Sequence, residues 1–220
     1  METAMNIPNV CSLPHVASRA CRERGGRFAG CGAERSAQWL MMREKTMVRQ
    51  RRLVYVSGAP GAGKTSLAGP LAAALGYALL TKDTIKETLH DALGAPEPDL
   101  AWSRRLGGAA MELLWTLAAR APAVVIEANF RPHSEYERGR FAELGGCPVE
   151  VHCRCPAEVA LARYNTRPTH PVHVLKTLPI EAMAEYDVPV GIGALITVDT
   201  TAPVDVAAVA ARVRDYHAGG

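Results

Sequence analysis

The stretch Gly58-Ala59-Pro60-Gly61-Ala62-Gly63-Lys64-Thr65 brings together, at one spacing, the residue types that can grip a chain of phosphates. Gly58, Gly63, Lys64 and Thr65 fit the pattern G-x-x-x-x-G-K-[ST]. Its glycines let backbone N–H groups converge on phosphate oxygens where a side chain would intrude, and the positive end of a following helix adds to the attraction. Lys64 is expected to reach the β- and γ-phosphates, and Thr65 to bind Mg²⁺ through its hydroxyl. Ser66, next in line, is either a helix-turn residue or a contact to the α-phosphate. The flanks suit this chemistry: LVYVS before the loop reads as a strand, and the Ala/Leu-rich run after it reads as a helix.

The pattern names neither a base nor a reaction. No N-K-x-D stretch supports guanine, no LSGGQ-like stretch supports a transporter ATPase, and the chain is short for a ring-forming ATPase with a helical lid domain. A small phosphotransferase is what remains. Its acceptor side should lie beyond the carboxyl ends of the strands. There, in TKDTIKETL, Asp83 either accepts the proton of an acceptor hydroxyl or caps the helix beginning at Thr84. Lys86 could orient an anionic acceptor or the phosphates. Glu127, closing AVVIE, either supports Mg²⁺ through its water shell, serves as an alternative base, or holds Arg131 or a backbone group. Asn129 and Arg131 are weaker candidates for acceptor binding. Arg163 and Arg167 lie four apart at the end of a helix, before a Pro/His-rich loop. They suit a lid that closes guanidinium groups onto the triphosphate, or are two solvated arginines. His170 and His173, flanking Pro171, suit acceptor contact or loop structure better than a metal.

These residues require elements to hold them. Short apolar runs predict strands at 53–57, 77–81, 123–127, 149–153 and 194–199, alternating with helices at 64–75, 84–93, 132–144, 156–166 and 203–217. A longer helix over 99–120 starts from Asp99 as N-cap. Leu106, Ala110, Leu113, Leu114 and Leu117 form its apolar stripe, with a kink expected at Gly107-Gly108. Strands alternating with helices predict an α/β fold on a parallel sheet. Trp102 and Trp115, in the region expected to form the acceptor pocket, stack on an acceptor or pack the core.

Across the 220 residues, 25 Lys+Arg stand against 22 Asp+Glu. Residues 1–46 hold 7 basic and 4 acidic residues, so 47–220 are neutral overall, which disfavours a nucleic-acid partner. Residues 1–46 read as a disordered N-terminal extension or as sequence upstream of a start at Met47, and 47–220 as one domain. No apolar run predicts a membrane span or a secretory signal, so the expected location is cytoplasmic, with Cys11, Cys21, Cys31, Cys147, Cys153 and Cys155 as thiols.

Residues 52–217 resemble the small P-loop kinases that include zeta toxins, chloramphenicol phosphotransferase, gluconate kinase and the kinase domain of polynucleotide kinase, and most of all the AAA-domain, kinase-like ATP-binding proteins of that group. The resemblance rests on GAPGAGKTSLA, on KDTIKETL where that group carries an S-D-x-x-R-like element, on VVIEANF, and on CPAEVALARYNTRPTHPVH. It implies a P-loop NTPase three-layer α/β/α sandwich with a five-stranded parallel sheet and a helical lid. It also implies ATP and Mg²⁺ at Gly58, Gly63, Lys64 and Thr65, Asp83 as acceptor-side base, and Arg163 and Arg167 as lid arginines. Lys86 stands where Arg is usual and Glu127 where Asp is common. ITVDTT resembles the strand and loop that approach adenine, with Asp199 and Thr200 on that side. The expected activity is transfer of the γ-phosphoryl group to a hydroxyl of a small-molecule acceptor. The alternative is an ATP-binding regulatory or toxin-like protein without kinase activity.

Overall fold

The computed structural model describes residues 51–94, 99–175 and 177–219. The expected extension over 1–46 and the cysteines within it lie outside the described residues. Five strands, β1 (Arg52–Ser57), β2 (Ala78–Thr81), β3 (Ala123–Glu127), β4 (Cys147–Arg154) and β5 (Ala194–Asp199), form one parallel sheet in the order β2-β3-β1-β4-β5. The helices are α1 (Lys64–Leu75), α2 (Lys82–Leu93), α3 (Leu100–Ala118), α4 (Glu135–Leu144), α5 (Ala157–Thr166), α6 (Glu181–Ala184) and α7 (Val206–Gly219).

A central parallel strand is covered on both faces, so it reads as a continuous apolar run, and LVYV in β1 is buried throughout. Val54, Val56, Val151 and Ile196 face α1 and α7, packing on Leu67, Leu71, Ala210 and Val213. Leu53, Tyr55, Val124 and Ile126 face the other way, onto Leu114, Trp115, Phe130 and Phe141 of α3, α4 and the loop before α4. The result is the expected three-layer α/β/α arrangement. Trp115 lies in this second core, with its ring edge-on to Phe141 at 5.1 Å. Trp102 is half-buried with the Arg105 guanidinium 5.9 Å from its ring centre.

Two local expectations change. Helix α3 runs through Gly107 and Gly108 without a break, capped as expected by Asp99, whose carboxylate accepts from Trp102 N at 2.7 Å. Burial of Leu106, Ala110 and Leu114 outweighs the propensity cost of the two glycines. Leu113 and Leu117, expected on the buried stripe, are exposed instead, because the helix turns Leu106, Ala110, Leu114, Trp115 and Ala118 inward. Among the described residues no helix is long and apolar enough to cross a membrane.

A buried polar cluster ties the strand before the glycine loop to the strap before β5. Glu150 of β4 has no solvent exposure and accepts from Val190 N (2.8 Å), Gly191 N (2.9 Å) and Ser57 Oγ (2.5 Å). The Tyr55 hydroxyl lies 3.0 Å from Glu150 Oε2 and 2.7 Å from Ile192 O, and accepts from Ile192 N. Burial first, then the Glu150 charge, holds the Tyr55 phenol protonated well above its ordinary range. Buried donors left without an acceptor cost about 1–3 kcal/mol each. Glu150→Gln, which turns an NH₂ toward these donors, is therefore expected to cost at least about 1–3 kcal/mol. Thermal denaturation would register a fall of several degrees in Tm, and an unchanged Tm would contradict the role given to Glu150.

Candidate active site

The loop between β1 and α1 takes its shape from two glycines pressed against neighbouring backbone. Gly58 (φ +130) packs against the Cys153 carbonyl and Gly61 (φ +81) against the Ala160 carbonyl, and a Cβ at either position would intrude on that oxygen. Both φ values are also costly for any L side chain. Ala62 N donates to Ala59 O at 3.0 Å, closing a turn, and the Thr200 hydroxyl donates to Ala62 O at 2.8 Å, fastening the loop to the segment after β5. Because Gly61 meets α5, loop and helix share one position. Gly61→Ala is therefore expected to displace α5 and sharply weaken binding of a fluorescent ATP analogue; full affinity in the variant would show that the contact yields freely.

Lys64, the first residue of α1, is buried, and its Nζ donates to the carbonyls of Gly58 and Ala59 at 2.8 Å each. The ammonium thus lies folded over its own loop. Thr65 Oγ1 donates to Glu127 Oε2 at 3.4 Å. Burial pushes the Lys64 ammonium down and the Glu127 carboxyl up, each shift partly offset by the charge of the other. Hydroxyl and carboxylate oxygens are the donors a hard cation such as Mg²⁺ takes, so Thr65 and Glu127 form a fitting pair for it. Burial pushes the adjacent Cys153 thiol up to about 12, leaving it a packing group.

Asp83 is not the helix cap. Thr81 occupies that position, its hydroxyl accepting from Thr84 N at 3.4 Å, and Asp83 falls in the first turn of α2. Its carboxylate accepts no hydrogen bond from the described residues and lines a cavity of about 570 Å³. The same cavity is lined by Pro60, Gly61, Gly63, Lys64, Thr65, Ser66, Glu127, Asn129, Arg163, Arg167 and Thr200, and by residues 201–204. Predicted site residues from Pro60 to Thr200, separated by up to 140 positions in the chain, therefore open on one space. Gly58, Ala59 and Ala62 form the loop's floor: Gly58 O and Ala59 O receive Lys64, and Ala62 O receives Thr200.

The two arginines differ. Arg163 Nη1 donates to Thr200 O at 3.0 Å, fixing it to the segment after β5, whereas Arg167, at the end of α5, lies over the Tyr164 ring with 4.8 Å from guanidinium carbon to ring centre. Five further candidates lie elsewhere. Lys86 is buried and donates to Ser103 Oγ at 2.8 Å. Arg131 is largely exposed and pairs with Glu185 at 3.6 Å. Asp199 turns away from the nucleotide loop, accepts from Thr201 N and Oγ1, and lines a separate cavity with Arg154 and Thr197. His170 and His173 bond Asp91 and Glu87, which makes them loop structure. Tyr164 and residues 202–204 escaped sequence reading because they carry no chemical pattern of their own; only the return of β5 beside β4 brings 202–204 to the loop.

A five-stranded parallel sheet carrying this glycine loop, with ligand-facing residues collected at its carboxyl edge, defines a small P-loop protein of the kinase-like type. The chain belongs to the AAA domain family, whose profile matches residues 53–187. A candidate kinase from Chloroflexus aurantiacus j-10-fl is similar in structure, with TM-score 0.66 and 29% identity over 76% of this chain and 98% of that one. A sugar kinase from Janibacter sp. HTCC2649 shares the fold, with TM-score 0.50 and 21% identity over 76% and 95% of the two chains. A search of curated proteins finds no match.

Proposed function

We propose that this protein is an ATP- and Mg²⁺-dependent phosphotransferase that moves the γ-phosphoryl group to a hydroxyl of a small-molecule acceptor. The observation that carries this reading is Asp83: a carboxylate released from capping by Thr81, accepting no hydrogen bond from the described residues, in the same cavity as Lys64 and Thr65. The kinase name of the 29%-identical Chloroflexus protein supports it.

The nucleotide's phosphates take the place of the Gly58 and Ala59 carbonyls as partners of Lys64, whose ammonium their charge favours against burial. Gly58 to Ser66 supply the cradle, and the start of α1 points its free N–H groups at the phosphates. Thr65 and Glu127 would hold Mg²⁺, which when bound would neutralise phosphate charge. Arg163, fixed to Thr200, and Arg167, stacked on Tyr164, present guanidinium groups to the phosphates. Asp83 orients the acceptor hydroxyl and takes its proton as the oxygen bonds to the γ-phosphorus and the bond from that phosphorus to the β–γ bridging oxygen breaks, releasing ADP.

The test is ADP release from Mg-ATP by the full chain across nucleosides, sugars and aminoglycoside or phenicol antibiotics. Stimulation by one acceptor class supports transfer; Mg-ATP binding with no stimulation by any of them means a nucleotide-binding protein without small-molecule kinase activity. Glu127→Gln is expected to raise the Mg²⁺ concentration needed for ATP binding by roughly 10–100-fold, as loss of a supporting ligand does. A Mg²⁺ titration that does not move would remove Glu127 from the metal's surroundings.

A further inference from the structure

Segment 168–175, which follows Arg167, is built into α2 and α3. Val172 is fully buried, and its carbonyl accepts from Ser103 Oγ of α3 at 2.7 Å. Ser103 Oγ in turn accepts from Lys86 Nζ of α2 at 2.8 Å, completing a Lys86–Ser103–Val172 chain that lies inside the protein. Two bonds flank it on the same helix: His173 Nε2 lies 2.9 Å from Glu87 Oε1, and His170 Nε2 lies 3.1 Å from Asp91 Oδ1. The His170 ring also stands edge-on to His90 at 5.3 Å, and His90 Nδ1 accepts from Trp102 Nε1 of α3. Within the segment, Val172 N donates to His170 Nδ1 and His173 N to His170 O. Tyr164 of α5 marks its two ends, lying against Arg167 and donating through its hydroxyl to Leu175 O.

Lys86 is an unusual choice for this joint. Burial, followed by the nearby Lys82 charge, pushes its ammonium down, so the site tolerates a cation at a cost that Met or Leu would not carry. A charged donor on the Ser103 hydroxyl leaves that hydroxyl's proton to Val172 O, which fixes the direction of the whole chain.

We propose that Lys86 and Ser103 are positioning residues for Arg167: acting through Val172, they make segment 168–175 one body with α2 and α3, so that the arginine facing the phosphates moves together with the helix that carries Asp83. A lid hinged independently at Arg167 would need no such joint. The consequence for catalysis rests on the phosphotransfer reading above; the joint itself does not.

Hydrogen–deuterium exchange on the full chain without nucleotide tests the joint. In the natural protein the amides of Val172 and His173 are expected to exchange with the slow class of α2. Ser103→Ala or Lys86→Met is expected to speed them by roughly 5–30-fold, the effect of losing one or two bonds' worth of local stability, with β1 and α1 unchanged. Fast exchange of both amides in the natural protein, or no change in either variant, would overturn the proposal. The positioning role has its own readout: with an acceptor that stimulates ADP release, Ser103→Ala should lower kcat while the affinity for a fluorescent ATP analogue stays as it was, and Ser103→Thr should restore kcat. Equal loss of kcat and ATP affinity, unrescued by Thr, would reduce the pair to a structural contact. Failure of every acceptor to stimulate ADP release would count against the phosphotransfer reading, and the exchange result would still decide the joint.

Discussion

Asp83→Asn is expected to slow acceptor-stimulated ADP formation by about 10²–10⁴-fold, the range in which general-base groups contribute, while leaving Mg-ATP affinity close to that of the natural protein. The two effects separate because Asp83 lines the cavity from α2 and makes no bond to the glycine loop or to Lys64. Stability should also hold. The cap of α2 is Thr81, so the substitution removes no capping bond, and an isosteric amide fits the same space. Measuring kcat, ATP affinity and Tm on one preparation checks all three. Full activity would return the role of base to Glu127, whose carboxyl burial already pushes up.

Lys64→Met is expected to lower turnover by at least about 10²–10³-fold, the cost of removing one preorganised donor from developing phosphate charge, and to weaken ATP binding as well. Met keeps the length of the side chain and fills the buried site, so the cavity penalty of Ala is avoided. The substitution has opposing effects on the free protein. It removes a buried ammonium that its surroundings push toward neutrality, and it leaves the Gly58 and Ala59 carbonyls without their donor. The fold should survive, visible as a cooperative melt; retained turnover would mean that Lys64 does not reach the phosphates.

Much of the fold was legible because its signals are local. The five strands and the helices at 64–75, 99–120 and 156–166 follow from apolar period and length, and Asp99 caps α3 as its position suggested. The cradle was legible because its glycines, Lys64 and Thr65 must be contiguous to work. What escaped depends on contacts between distant residues. Asp83 and Thr81 are both good caps, and only the backbone shows that the helix starts early enough to take Thr81. Leu113 and Leu117 fit the helical stripe but lie on its solvent side, because burial follows where α2, β2 and β3 pack against α3. Lys86 read as an acceptor ligand from its place three residues after Asp83, yet the hydroxyl that claims it, Ser103, lies in a different helix. Glu150 carried no chemical pattern at all; its role comes from four donors gathered from β1 and from the strap 190–192.

The most direct measurement is transfer of label from γ-labelled ATP by the full chain to members of the acceptor panel, with Asp83→Asn alongside. A labelled phosphate monoester is expected on one class of hydroxyl acceptor, formed by the natural protein and nearly absent with the variant. Label that stays on ATP or appears only as inorganic phosphate, with every acceptor and with ATP demonstrably bound, would contradict transfer to a small-molecule acceptor.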